Sequence, residues 1–445
     1  MRNIISILLL ILSLHASAQD CSVAGLFPMK DQGRRVWNFN TGWQFSREKE
    51  TATVNLPHCV KLEPAEASGG RNYQGPAWYR KTFIAPDNHL TIYFEGAMGN
   101  QDVYVNGRLA LKHYGGYLPF LVNLDAYNVR RGDSCTIAVM TDNRDNNLVP
   151  PGKRQIALDF AYHGGIYRDV WLIARNPVHI TDVMEANRTA GGGLFVHYGD
   201  VDSKKAVVYV NTEVRNDLTR PKTVTVKQTL IAPNGETVKT FRTKATLSAR
   251  SQQTVQQNIT VSKPSLWSPE HPSLYRLETR IKDGNTTLDG GMTRIGLRHC
   301  EFRGKDGFWL NGRRYRQFIG ANRHQDFAYV GNAVPNSQQW RDAKRLKDCG
   351  FNIIRTAHCP MDPAFMDACD ELGLFVIVAT PGWQYWNGED SIFESRVLQN
   401  NREMIRRDRN HPSVLMWEPI LNETLYPKSF ALKALQITRD EYPYP

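Results

Sequence analysis

Beyond its first twenty residues the chain has no apolar run approaching the roughly 18 residues that a membrane-crossing helix needs, so the mature chain is read as having no transmembrane segment. Cysteine is scarce and odd in number. Seven are scattered without a CxxC pair, which argues against a disulfide scaffold and against thiolate metal ligation. HExxH is missing, and no carboxylate-rich ligand set accompanies the histidines; no metal and no cofactor is expected. Acidic residues fall short of basic ones, 44 against 55, for a net charge of +11. No RRM, zinc-finger or helix-turn-helix pattern uses that excess, so nucleic acid is not the expected partner. The charge better suits anionic polymers such as charged polysaccharides, and the plainer and stronger reading is that it is not the charge balance of a whole protein.

What is present begins with a leader. MRN is positive, IISILLLILSL is apolar, and HASAQ supplies the small-x-small pattern Ala16-Ser17-Ala18. This reads as a secretory signal peptide over residues 1–18, cleaved after Ala18 or Gln19, with export to the periplasm or beyond. A lipid anchor on Cys21 is the weaker option, because Ala18-Gln19-Asp20 is a poor lipobox.

Residues 34–176 read as all-β. Short apolar runs such as LTIYFEGA, DVYVNG and CTIAVMTDN are separated by turn signals, and aromatics are dense, which suggests a sandwich. Residues 177–297 are plainer strands with period-two alternation, as in AVVYVNTEV and TVTVKQTLI, with a hairpin turn at Pro233-Asn234-Gly235. Their length fits an immunoglobulin-like β-sandwich without the usual cysteine pin. After residue 298 strand and helix alternate over residues 298–445: YRQFIGAN, SQQWRDAKRLKDCG, NIIRTA, DPAFMDACDELG, LFVIVA, a helix over about 391–409, and SVLMWEP. Near-continuous apolar strands with short links predict a parallel sheet covered by helices.

An open doubly wound sheet would usually show a Gly-rich phosphate loop after its first strand; here GANRHQD follows instead. All four strands end in polar or aromatic residues: Asn322 and His324, Arg355 and His358, PGWQYW with Trp383, and Asn422-Glu423. That repetition favours half of a (β/α)8 TIM barrel, whose strand C-termini line the active mouth. A carboxyl group at such a mouth near aromatic walls is partly desolvated, and desolvation favours the protonated form that a general acid needs. Trp383, Tyr385 and Trp386 suit stacking on sugar rings as well as they suit core packing. His324 and His358 fit sugar or supporting hydrogen bonds better than metal ligation. Arg355 could orient a carboxylate or sit in a structural ion pair.

The blocks FNTGWQF, VNLPH, VYVNGRLALKHYGGYLPF, HGGIYRDVWL, LWSPEHPSLYRL, GFWLNGRRYRQFIGANRHQD and FNIIRTAHCP, followed by HPSVLMWEPILNE, resemble the landmarks of glycoside hydrolase family 2, in family order and over nearly the whole mature chain. The resemblance implies that residues 34–176 form a jelly roll, and that the activity is that of a retaining exo-β-glycosidase, β-galactosidase first and β-glucuronidase second, acting on an oligo- or polysaccharide. It implies Glu423 as acid/base and Asn422 as its neighbour on the sugar 2-hydroxyl. Asn322, His324, Arg355, His358 and Trp383 would line the sugar site, and Asp169 of the first domain would point toward it. Two departures stand out. Glu418 and a proline follow the Trp of the HPS block where the family usually has Ser or Gly. Trp383 and Tyr385 replace the acidic residue and histidine of metal-using galactosidases. A retaining mechanism needs a second carboxylate about 5–5.5 Å from the first, and the family takes it from a later strand. The nucleophile is therefore expected outside this chain, as in the N-terminal part of a longer enzyme. A non-catalytic carbohydrate-binding protein is the reading from another class. Oligomeric state is left open.

Overall fold

In the computed structural model, residues 21–62, 72–421 and 423–444 are described. The leader and Asn422 lie outside the described residues. Among those described, no helix is long and apolar enough to cross a membrane.

The first domain is a jelly-roll sandwich. Its six-stranded antiparallel sheet runs in the order Glu50–Val54, Trp43–Arg47, Pro76–Ile84, Ser134–Asp142, Asn100–Val105, Arg108–Tyr114. Facing it is a four-stranded sheet of Arg35–Asn38, Val170–Ala174, Leu90–Phe94 and Phe120–Asn123. Alternation does the sorting: in Pro76–Ile84, Ala77 and Tyr79 turn inward while Trp78 and Arg80 turn out. Trp43, Phe45, Ile92, Phe94 and Val139 fill the space between the sheets.

The second domain is the immunoglobulin-like sandwich. One sheet is built on Lys205–Asn216, paired with Leu194–Val201, Val178–Ile180 and Ser251–Ser262. The other runs Thr237–Leu247, Lys222–Ile231, Tyr275–Asp283, Thr286–Ile295. Val208, Val210, Leu230 and Leu277 close one end of its core, Val214, Val226 and Ile281 the other. All seven cysteines are free thiols, so no disulfide joins the sheets; apolar packing does, with buried bonds from Gln228 to the Thr212 hydroxyl at 3.0 Å and from Gln257 to the Val226 carbonyl at 3.2 Å.

The third domain is the barrel part. Its strands Gly320–Arg323, Ile353–Thr356, Phe375–Ala379 and Val414–Glu418 pair in parallel and in sequential order. No strand order reversal occurs, as barrel winding requires and a doubly wound sheet does not. Helices Asn336–Asp348, Pro363–Leu372, Ser391–Asp408 and Lys428–Glu441 follow the strands. Asp362 caps the second through its side chain to the Ala364 N–H, with Pro363 at the first helical position. Ile354, Val376 and Val378 face these helices and bury against Phe365, Met366 and Met404. On the other face, a small three-stranded antiparallel sheet brings Phe308 and Leu310 onto Ile353 and Phe375 at the strands' N-terminal ends.

Residues 22–34 tie the domains together. The Ser22 N–H donates to the Asp367 carboxylate of the barrel at 2.9 Å. Phe27 bridges to Met292 of the second domain. Arg34 binds the fully buried Asp289 through two parallel bonds of 2.8 Å, and Asp289 also accepts the Ile180 N–H at 2.7 Å. Removing one partner of such a buried pair leaves the other charge uncompensated. Asp289→Ala should therefore lower stability by about 3–5 kcal/mol, read from urea unfolding of the full chain. A loss below about 1 kcal/mol would place Arg34 in the surface-pair class.

Candidate active site

The polar ends of the barrel strands gather where register puts them. Asn322 is the register partner of Arg355 on the adjoining strand. Arg355 lies on the second barrel strand. It forms a two-bond ion pair with Glu418 at the end of the fourth strand, Nε to Oε2 at 2.8 Å and Nη2 to Oε1 at 2.6 Å. Of the two roles open to Arg355, the structure shows the ion pair. Glu418, the residue that departs from the usual Ser or Gly, supplies its partner.

His324 and His358 lie at the first and second strand ends, ring centroids 5.9 Å apart. His358 is buried and stacks on Trp383 at 4.1 Å with a 20° interplanar angle. Among the described residues, Nδ1 of neither histidine has a hydrogen-bond partner. Of the aromatic trio after the third strand, Trp383 alone joins this stack. Tyr385 packs on Phe393, and Trp386 on Phe393 and Phe430, so these two belong to the helix core rather than to a sugar platform.

Glu423 follows the fourth strand in a turn with φ of +60°. It is exposed, so the desolvation expected from aromatic walls is not found there. Gln384 Nε2 donates to its carboxylate, and Lys153 of the first domain donates to Gln384 Oε1 at 2.5 Å. Asp169 lies buried where the first domain meets the barrel, accepting from Asn40 at 2.8 Å and from Asn336, which opens the first barrel helix, at 2.9 Å. Burial first, then the nearby Asp362 charge, pushes its carboxyl up to about 6.

The first domain instead contributes the loop before HGGIYRDVWL. Phe160 lies over His324 and His358 at 6.2 and 6.1 Å, and Asp159 acts electrostatically on His358. The same domain seats on the third barrel loop and the helix after it: Asn387 and Arg396 donate to the carbonyls of Asn147 and Leu148 at 3.1 and 2.8 Å. The sequence reading missed Asp159, Phe160, Lys153 and Gln384. Only Gln384 carried a signal, lying inside the aromatic PGWQYW run. The site is thus composite: imidazoles, an indole, an exposed carboxylate and a neutralised guanidinium at the barrel, roofed by a jelly-roll loop. Such a set can stack on a sugar ring, bond its hydroxyls and exchange a proton at Glu423.

Comparison with known proteins adds to this geometry. Residues 37–176 match the description "Glycosyl hydrolases family 2, sugar binding domain", residues 193–298 "Glycosyl hydrolases family 2", and residues 302–440 "Glycosyl hydrolases family 2, TIM barrel domain". A β-galactosidase of Thermoanaerobacter pseudethanolicus is 34% identical over 410 residues, which is 88% of this chain and 52% of the relative. The crystal structure of a putative β-galactosidase from Bacteroides fragilis superposes with a TM-score of 0.83 at 29% identity, covering 92% of this chain and 63% of that one. Bacteroides uniformis β-glucuronidase 2, covalently bound to a cyclophellitol-6-carboxylate aziridine, gives 0.82 at 27% identity, covering 92% and 52%. The chain spans about half the length of the curated relatives it matches.

His358 carries a pH signature. Burial first, then the Arg355 charge, lowers its imidazole to about 4, against opposing pulls from Asp159 and Glu423. An unfolded imidazole titrates near 6.5. Between those values the unfolded chain binds a proton that the folded chain does not. Stability is therefore full above about pH 6.5 and falls as pH drops toward 4. Urea midpoints at pH 7 and pH 5 should differ less in His358→Gln than in the wild type. The same difference in both proteins would show that His358 is not held neutral.

Proposed function

The chain belongs to glycoside hydrolase family 2, and on that footing we propose that it serves an exported, retaining exo-β-glycosidase that removes terminal β-linked sugars, β-galactosides first. Glu423 is assigned as acid/base, Asn422 as its partner on the sugar 2-hydroxyl, and Asn322, His324, His358 and Trp383 as the sugar-contacting set. Arg355 shapes the pocket through Glu418. The nucleophile is assigned to a residue outside this chain, placed about 5–5.5 Å from Glu423 as double displacement requires. The leader MRNIISILLLILSLHASA supports export.

The observation that carries the reading is the joint placement of the His358–Trp383 stack and the Gln384–Glu423 contact at one end of the parallel strands. The Arg355–Glu418 pair supports a neutral sugar over a uronate, since that guanidinium already has a carboxylate.

Hydrolysis of 4-nitrophenyl β-D-galactoside and β-D-glucuronide by the native enzyme tests this. The galactoside should be preferred, and Glu423→Gln should lower its turnover by about 10²–10⁴-fold. Preference for the glucuronide would overturn the sugar assignment. Undiminished turnover in Glu423→Gln would overturn the acid/base assignment.

A further inference from the structure

The outer face of the second immunoglobulin-like sheet carries an arrangement that the glycosidase reading does not use. Register places Arg242, Lys227 and Arg280 directly opposite one another on three adjacent strands. In the neighbouring row, two residues along, Lys244 and Lys282 flank Thr225. Adjacent strands lie about 4.8 Å apart, so the cations crowd one another. Like charges directly opposite in a sheet destabilise it.

The acids on this face do not relieve the crowding. Glu278 is held by Arg280 at 2.7 Å, and Asp283 pairs with Lys222. Among the described residues, Lys227, Arg242, Lys244 and Lys282 have no carboxylate partner at salt-bridge distance. Partial burial first, and then Arg242, Arg280 and Lys282, push the Lys227 ammonium below its ordinary range. Hydroxyl pairs frame the cations on both sides. Thr223 and Thr246 meet at 2.9 Å, and Thr229 and Thr240 at 3.1 Å. The inward side of the same strands is an ordinary apolar core of Val224, Val226 and Ile281, so sandwich packing does not explain the outer rows.

We propose that this face docks a polysaccharide bearing carboxylate or sulfate groups and holds it while the barrel works on a chain end. Charge complementarity selects the occupant: rows of fixed cations across a sheet match a linear polyanion, and guanidinium and ammonium donors bind such oxygens well. The flanking threonine hydroxyls suit sugar hydroxyls. No aromatic side chain stands among these cations and threonines to stack on bases, which separates the face from platforms for single-stranded nucleic acid. The choice of a polysaccharide rests on the glycosidase reading; the cationic docking face itself does not.

The test is affinity electrophoresis of the full chain through gels containing polygalacturonate, dextran sulfate or neutral dextran. Duplex DNA serves as the competing polyanion. The variant is Lys227→Thr combined with Arg242→Thr, Lys244→Thr and Lys282→Thr, which keeps residues suited to strands. Wild type should be retarded by polygalacturonate or dextran sulfate and not by neutral dextran. The variant should bind about tenfold or more weakly at low salt, with a melting temperature equal to or above that of wild type because the crowding is relieved. Equal binding by the variant, equal retardation in neutral dextran, or DNA held as tightly as polygalacturonate would each overturn the proposal. Hydrolysis plays no part in this readout. Failure here leaves the Glu423 assignment standing, and failure of that assignment leaves the binding result standing.

Discussion

A single buried guanidinium sets how the first domain meets the barrel. Arg168 is fully buried, and it donates to the Tyr117 carbonyl at 2.7 Å, the Gln325 side chain at 2.9 Å and the Pro360 carbonyl at 2.8 Å. Tyr117 belongs to the jelly roll, while Gln325 and Pro360 follow the first and second barrel strands. Asp362 balances the charge from 3.9 Å. A buried charge without partners is strongly unfavourable, so the two domains are restricted to arrangements in which those acceptors converge. The roof of the site follows from that restriction. With Arg168 seated, Phe160 reaches the two histidines and Lys153 reaches Gln384.

The parts legible in the sequence are those with local causes. The parallel strands and their helices were written in period and in caps, as Asp362-Pro363 shows. The sandwich strands were written in alternation, as in Pro76–Ile84. The strand-end position of the polar residues was legible because barrel mouths always recruit such ends. Local pattern does not record which side chain faces which. PGWQYW announced an aromatic cluster, yet only Trp383 turns to the pocket while Tyr385 and Trp386 join Phe393 and Phe430.

Errors of partner had the same origin. Asp169 and Arg168 are neighbours in sequence, and the reading chose the carboxylate for the site. In the structure both reach the barrel: Arg168 donates to Gln325 and Pro360, and Asp169 accepts from Asn336 of the first barrel helix as well as from Asn40. Glu418 was visible as a departure from the usual pattern, but its pairing with Arg355 crosses strands and leaves no trace in either segment. Lys153, Asp159 and Phe160 act on residues more than 150 positions away, beyond the reach of any periodic signal.

The central claim is that the site is composite and that Arg168 holds its two halves together. Hydrogen–deuterium exchange of the full chain and its Arg168→Lys variant tests it most directly. Lysine keeps the charge but cannot serve three divergent acceptors from a rigid fork. Amides at residues 152–162 of the jelly roll and 323–332 of the barrel should lose protection together, while those of the Lys205–Asn216 strand stay unchanged. Loss confined to one of the two segments, or no loss in either, would contradict the account.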